Sequence, residues 1–221
     1  MDWKIVVAAP LVAWLVVANA AALRLPTNWG SDVYASTSHA YVLGLDPEVN
    51  FNGRPALAVR SAQPQRDTSV AALTKYIDAF GYEGRRVRLT GMLRTSDIDT
   101  WAGVFLQPVS GVGARSWMIQ DETTLPHASA STPGTSDWHA VSVVIAVPTT
   151  PDASISMGLA VVGNGQAWVS DLKFEEVGDD VPLTETRMGL DVNKLQRENA
   201  EAAARRATAR VKVVPDLSLG S

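Results

Sequence analysis

The chain has 221 residues, 46% of them apolar, and its 19 basic against 23 acidic side chains give a formal net charge of −4. This size and apolar content suffice to bury the core of one domain, and the acidic balance argues against nucleic acid as a partner. The chain has no cysteine, which excludes disulfides, thiolate metal sites and a cysteine nucleophile.

The N-terminus carries an apolar leader. Residues 5–17 form an apolar run after Lys4, and Ala18-Asn19-Ala20 has the small-x-small pattern that signal peptidase cleaves. The sequence therefore predicts a signal peptide over residues 1–20. An uncleaved membrane anchor over residues 5–23 is the alternative, since such a run is almost long enough to span a bilayer. Either way, we expect an exported protein, periplasmic or extracellular, that contacts the membrane only through this leader.

The chain from residue 39 to residue 177 has the composition of an all-β domain. Short runs rich in Val, Ile, Leu, Thr and aromatic residues are separated by Gly, Pro, Ser and Asp. The predicted strands cover residues 40–45, 55–61, 73–80, 86–90, 102–106, 116–119, 141–147, 154–162 and 166–177. The run at 73–80 is also compatible with a helical turn. Many short strands without helical periods between them predict a single β-sandwich over residues 24–184.

Alternation predicts which side chains of the last strand share a face. Since successive side chains of a strand point to opposite sides, Trp168, Leu172 and Phe174 are predicted on one face. Val169 and Asp171 are predicted on the other.

Glycines predict two local features. Gly91 suggests a bend or bulge after the strand at 86–90. Asn164-Gly165 suits a tight hairpin turn between the strands at 154–162 and 166–177.

A charged, alanine-rich tail follows over residues 185–221. Residues 193–210 form a candidate helix, with Glu198 near its start and Arg210 near its end, as the helix dipole favours. The helix lacks an apolar stripe, so it needs a partner or a second copy to cover it, and a homo-oligomer through the tail is one hypothesis. Residues 211–221 are predicted to dock as an extended segment.

Several motifs occur in an order that resembles a known superfamily. They are GRPALAV at 53–59, YEGRRVRLTG at 82–91, WAGVFL at 101–106, TSDW at 135–138 and GNGQAWVSDLKF at 163–174. Together, over roughly residues 28–184, they resemble a bacterial accessory jelly-roll domain of the galactose-binding-like, carbohydrate-binding-module-like superfamily. The resemblance implies an all-β, single jelly-roll β-sandwich whose function is poorly defined. The chain departs from the family pattern at 107–111 and 117–121, so no binding residue is carried over.

Aromatic residues are the candidate ligand contacts. Flat aromatic faces stack on sugar rings, and Trp117, in a strand that departs from the family pattern, is the first candidate, followed by Trp29, Tyr34 and Trp101. The competing interpretation is packing in the core or at a sheet edge, which we expect for Trp168.

Asp171 is the candidate metal ligand. It resembles the acid that helps to hold a structural calcium ion in several jelly-roll modules, and the resemblance implies such an ion here, for which Asp32 and Asp46 could supply further oxygens. A salt bridge from Asp171 to Arg86 or Arg88 on a neighbouring strand is the alternative.

Three hypotheses for function follow. The first is a non-catalytic exported module that binds a glycan or a cell-envelope polymer. The second is a structural subunit of an envelope complex that assembles with a protein partner through its sheet edges and tail. A hydrolase is the least favoured, because the three histidines are scattered and no serine lies in a Gly-x-Ser-x-Gly motif.

Overall fold

The computed structural model describes residues 23–35, 39–66, 69–109, 129–131, 134–150, 153–184 and 215–217. These residues form ten strands: β1 (Gly30–Tyr34), β2 (Tyr41–Phe51), β3 (Arg54–Ser61), β4 (Val70–Asp78), β5 (Arg86–Ile98), β6 (Trp101–Val109), β7 (Ser129–Ser131), β8 (Gly134–Ala146), β9 (Ser154–Val162) and β10 (Gln166–Val177). Five strands form a first sheet in the order β2-β3-β10-β5-β8, and five form a second sheet in the order β1-β4-β9-β6-β7. The predicted jelly-roll β-sandwich is confirmed.

The core lies between the two sheets. Leu57 and Leu89 of the first sheet and Leu73 and Leu159 of the second are fully buried there. Because burial of each such side chain contributes about 1.5–3 kcal/mol, this layer supplies most of the stability of a chain without disulfides. Alternation between core and outer face is the reason that these sequences form strands.

The predicted strands within the described ranges are all present, and residues 73–80 lie mainly in β4 rather than in a helical turn. The predicted strand at 116–119, the leader and the candidate helix at 193–210 lie outside the described residues. Within the described ranges, no helix is long and apolar enough to cross a membrane.

The face assignment predicted for β10 is wrong for Trp168. The pairing of β10 with β5 shifts register between Ser170 and Lys173, where Asp171 has a φ of 52°. A bulge of this kind inserts an extra residue and inverts the alternation after it. Val169 therefore shares the core side with Phe174, whereas Trp168 faces outward into a separate cluster.

Gly91 lies opposite this bulge instead of forming one of its own. A Cβ at Gly91 would meet Leu172 Cδ2 at 3.0 Å and Val169 Cγ2 at 3.2 Å. The missing side chain thus leaves room for the bulged segment of β10.

The predicted hairpin at Asn164-Gly165 is also wrong. β9 belongs to the second sheet and β10 to the first, so residues 163–165 form an arch that connects the sheets. Gly163 and Gly165 both have positive φ values, 75° and 116°. The predicted tight turn is present, but the strands that it joins are not paired with each other.

A hydrogen-bond network holds this arch. The Asn164 backbone and side-chain amides donate to Asp99 at 2.7 and 2.6 Å, and the Asn164 side chain also donates to Gln65 O at 3.1 Å. Tyr41 Oη donates to Gly163 O at 2.6 Å. Burial, together with the negative charge of Asp99, raises the pKa of Tyr41, which keeps this phenol a donor.

Short segments cap both edges of the first sheet. At the β2 edge, Leu45 N donates to Arg24 O at 2.7 Å, and the Arg24 backbone lies against Gly44, where a Cβ would approach within 2.7 Å. At the β8 edge, Thr184 N donates to Val144 O at 3.0 Å, and Val144 N donates to Thr184 Oγ1 at 2.9 Å. These caps reduce the number of backbone groups that another chain could pair with.

The arch network predicts acid sensitivity. Burial acts to raise the pKa of Asp99, but the hydrogen bonds from Asn164 and Thr100 outweigh it, so this pKa lies below its ordinary value. A carboxyl with a lowered folded-state pKa stabilises the fold above its unfolded pKa of about 3.9, and this stabilisation is lost as pH falls through the folded pKa. We expect the free energy of unfolding to decrease at pH values below about 4. The Asp99→Asn variant should show a smaller decrease. Denaturant unfolding across pH tests this, with the wild-type chain as the reference.

Candidate functional site

The outer face of the second sheet is the candidate ligand surface. We define it as the side of β1, β4, β9 and β6 that points away from the first sheet. Its side chains follow from register and alternation: Asp32, Ala72, Thr74, Tyr76, Trp101, Phe105, Gln107, Ser156 and Ala160, with Gly103 and Gly158 between them. Small residues occupy its middle, and larger aromatic and polar residues flank them.

Apolar residues form the part of this face nearest Trp101. Trp101 is half-buried and packs against a cluster of Ala72, Phe105 and Ala160. Ala160 lies opposite both Ala72 and Gly103 in register, so two neighbouring positions carry little or no side chain. Trp101, predicted as a ligand contact, therefore lies on this face, with part of its ring exposed.

Polar residues form a row at the other end of the face. Ser156 lies opposite Tyr76 on one side and opposite Gln107 on the other, so the three form one row across β4, β9 and β6. Tyr76 is 43% exposed, whereas Gln107 is only 2% exposed and Ser156 is fully buried. Among the described residues, Gln107 Nε2 and Ser156 Oγ have no hydrogen-bond partner.

Two unpartnered buried groups side by side are unusual. Most buried polar side-chain atoms in proteins are hydrogen-bonded, and leaving one unsatisfied costs about 1–3 kcal/mol. Directly opposite residues on neighbouring strands have Cβ atoms about 5 Å apart. A single ligand hydroxyl between Gln107 and Ser156 would therefore meet an amide donor and a hydroxyl together.

Two further predicted residues, Asp32 and Tyr34, lie in β1 at the edge of this sheet. Asp32 lies opposite Ala72, and its carboxylate accepts a hydrogen bond from Thr74 Oγ1 at 3.1 Å. Tyr34 pairs with Val70. The structure thus brings Asp32 and Trp101 to one sheet face, although the sequence suggested different roles for them.

The remaining predicted aromatic contacts are placed differently. Trp29 is 7% exposed and belongs to the main core, so its ring does not form a surface platform. Lys75 Nζ lies 5.8 Å from the centroid of that ring. Trp117 lies outside the described residues, in the connection between β6 and β7, and its role in ligand binding stays a prediction.

Asp46 holds a polar cluster on the outer face of the first sheet. Its buried carboxylate accepts hydrogen bonds from Trp168 Nε1 at 2.8 Å, from Arg60 and from the Glu48 backbone at 2.9 Å. The Arg60 and Arg94 guanidinium carbons lie 5.6 and 5.4 Å from the Trp168 ring centroid. Burial lowers the pKa of Arg60. Asp46 is therefore occupied by protein donors.

Asp171 forms salt bridges, but the predicted partners are wrong. It pairs with Arg54 and lies 3.5 Å from Lys173, whereas Arg88 pairs with Glu175 and Arg86 lies 3.7 Å from Asp179. The bulge is the physical reason, because it turns Asp171 toward β3 and away from β5.

Asp32, Asp46 and Asp171 are not brought together. They lie on the second sheet, on the first sheet and at the β10 bulge, each with its own partners. Among the described residues, no three His, Cys, Asp or Glu side chains form a group that could hold a metal ion. A structural calcium ion stays a prediction.

Tyr76, Gln107 and Ser156 were not identified from the sequence. A signal for Gln107 was available, because period-two alternation from Trp101 passes through Phe105 to residue 107. No such signal relates Tyr76 to Ser156, since their proximity depends on the pairing of β4 with β9.

Comparisons with known proteins find similar proteins but do not assign the chain to a family. No protein-family model matches the chain. An uncharacterized HTH-type transcriptional regulator, YbfP of Bacillus subtilis (strain 168), is 28% identical over 155 residues, which are 69% of this chain and 50% of that protein. The chain thus spans about half the length of this curated relative. The described residues of this chain contain no helix, so they do not form a helix-turn-helix.

Several solved structures are partly similar to this chain. The CBM22-1 xylan-binding domain of Paenibacillus barcinonensis Xyn10C has a TM-score of 0.45 at 9% identity, covering 70% of this chain and 89% of that one. TmCBM61, solved with β-1,4-galactotriose, has a TM-score of 0.41 at 9% identity, covering 69% and 91%. The tailspike protein 4 of bacteriophage CBA120 has a TM-score of 0.45 at 14% identity, covering 68% and 20%. At such identities and TM-scores, the likeness concerns the arrangement of strands alone.

The Asp46 cluster predicts a structural role for the Trp168 indole. Trp168→Phe keeps an aromatic ring between Arg60 and Arg94 but removes the donor to a buried carboxylate. We expect the free energy of unfolding to fall by about 1–3 kcal/mol, since one buried charged acceptor loses a partner. Denaturant unfolding measures this. Trp138→Phe is the matched control and should have a smaller effect, because Trp138 is only half-buried and keeps its ring contact with Phe51.

Proposed function

We propose that this protein is an exported, non-catalytic module that binds a glycan chain on the outer face of its second sheet. The observation that carries this proposal is the row of Tyr76, Ser156 and Gln107, in which two buried polar groups lack partners in the described part of the chain and lie beside an exposed aromatic residue. Sites for small ligands combine apolar and aromatic surface with a few polar groups that fix orientation. A sugar ring suits such a site, because its C–H faces pack on aromatic surface and its hydroxyls bond to the polar groups.

The dimensions of the face suit an oligosaccharide. Trp101 and Gln107 lie at opposite ends of the outer side of β6, and at about 3.3 Å per residue they are roughly 20 Å apart. Ala72, Ala160 and Gly158 lie between the aromatic end and the polar row. Trp101 and Tyr76 supply aromatic surface at the two ends of the face.

The chemistry of the polar row supports binding rather than catalysis. A nucleophilic serine needs a hydrogen-bonded base, and no residue within the described ranges bonds to Ser156 Oγ. The Gln107 amide does not titrate, so it cannot transfer a proton as an acid or a base. Both groups suit the recognition of neutral hydroxyls.

This proposal predicts that removal of the unpartnered groups separates stability from binding. Gln107→Leu and Ser156→Ala should leave the free energy of unfolding unchanged or raise it, because each removes a buried group without a partner. The same variants should weaken glycan binding about tenfold, the equivalent of roughly one lost hydrogen bond. Binding is measured by glycan array and then by calorimetry with the strongest array ligand.

Ser170→Ala is the matched control. Ser170 Oγ is also buried in a strand, but it donates to Pro55 O at 2.9 Å. Its loss should lower the free energy of unfolding by about 1 kcal/mol and leave glycan binding intact. Absence of binding to every glycan, or binding that Gln107→Leu and Ser156→Ala leave unchanged, would overturn the proposed surface.

Export is tested separately by the intact mass of the protein recovered from its native host. A mass that lacks residues 1–20 is the expected result, because cleavage should follow Ala20. A full-length protein in the membrane fraction would indicate the uncleaved anchor instead, and a full-length protein in the cytosol would contradict export.

A further inference from the structure

Residues 215–217 lie against the open end of the gap between the two sheets. Leu217 packs against the main core cluster, and Lys75 Nζ donates a hydrogen bond to Asp216 O at 2.5 Å. Residues 185–214 separate this segment from Thr184, the last described residue before them. A distant piece of chain thus contacts both the core and the second sheet.

The gap exists because β3 pairs with only part of β10. β3 pairs with β10 only over Gln166–Val169, and after the bulge β10 pairs, among the described strands, only with β5. A cavity of about 390 Å³ remains there, lined by Arg54, Leu172, Lys173 and Phe174 together with Pro215 and Leu217. The segment therefore occupies space that a longer β3 would fill.

Lys75 is the polar anchor of this gap. It lies on the core side of β4 between Leu73 and Ile77 and is only 7% exposed. Within the described part of the chain, its ammonium contacts the Asp216 carbonyl and the face of the Trp29 ring, and no carboxylate pairs with it. A buried ammonium is unfavourable without an electronegative partner. The carbonyl of an extended peptide satisfies that need.

We infer that this gap is a docking site for an extended peptide and that residues 215–217 of the same chain are its resident, reversibly bound occupant. Leu217 fills the apolar end of the gap, and the Asp216 carbonyl accepts a hydrogen bond from Lys75. A segment attached to the same chain has an effective concentration on the order of millimolar when its connection can span the sites, so the chain's own segment outcompetes that of a second copy at ordinary protein concentrations. A peptide of the same sequence binds once the resident segment is released.

The test uses the full chain with Leu217→Asp, which places a charge in the apolar end of the gap. The probe is a fluorescein-labelled peptide of residues 211–221, followed by fluorescence anisotropy. We expect saturable binding to Leu217→Asp, competed by unlabelled peptide, and at least tenfold weaker binding to the wild type. Lys75→Met in the Leu217→Asp background should abolish binding. Leu25→Asp introduces the same charge at a leucine that is 47% exposed and should behave as the wild type.

A second measurement needs no variant. Hydrogen exchange of the wild-type chain should show protected amides at residues 216 and 217, and excess unlabelled peptide should remove that protection by displacement. Equal binding of the labelled peptide to all variants, or no binding to any, would overturn the inference. A wild-type dimer that Leu217→Asp converts to a monomer, measured by light scattering, would also overturn it, because the segment would then dock into a second copy.

Discussion

The bulge between Ser170 and Lys173 in β10 determines which side chains enter the core from the central strand of the first sheet. Before it, Val169 faces the core and Trp168 faces outward; after it, Phe174 faces the core. The bulge also turns Asp171 toward Arg54, near the point where β3 ends. The outer Trp168 cluster, the orientation of Asp171 and the open gap between the sheets all depend on this one inserted residue.

Both outer faces contain buried polar groups, and on the first sheet Arg60 Nε has no hydrogen-bond partner among the described residues, like Gln107 Nε2 and Ser156 Oγ on the second. On the first sheet, Asp46 is surrounded by donors, so its buried charge is compensated and the cluster stabilises the fold. On the second sheet, Gln107 and Ser156 are buried without partners. An arrangement that lowers stability in the free protein and supplies groups to a ligand is what a binding site requires. The second sheet differs in that its two unpartnered groups lie on directly opposite residues beside the exposed Tyr76, which makes this face the candidate site.

The capped edges bear on how the protein meets other molecules. With Leu45 bonded to Arg24 and Val144 bonded to Thr184, both edge strands of the first sheet have backbone groups already paired within the chain. Such caps oppose strand-to-strand assembly through that sheet. The two surfaces proposed for recognition, the outer face of the second sheet and the gap that residues 215–217 occupy, are different in chemistry and separate in the fold.

The sequence by itself determined the fold class and nearly all described strands, because alternation and turn residues are local signals that β4 and β9 display clearly. It did not determine that Asn164-Gly165 joins strands of different sheets, that the bulge moves Trp168 outward, or that Asp171 pairs with Arg54. The tertiary structure alone decided these features, and it also placed Gln107 beside Ser156. The physical reason is that strand pairing and register join residues far apart in the chain, and no local pattern encodes which strands meet.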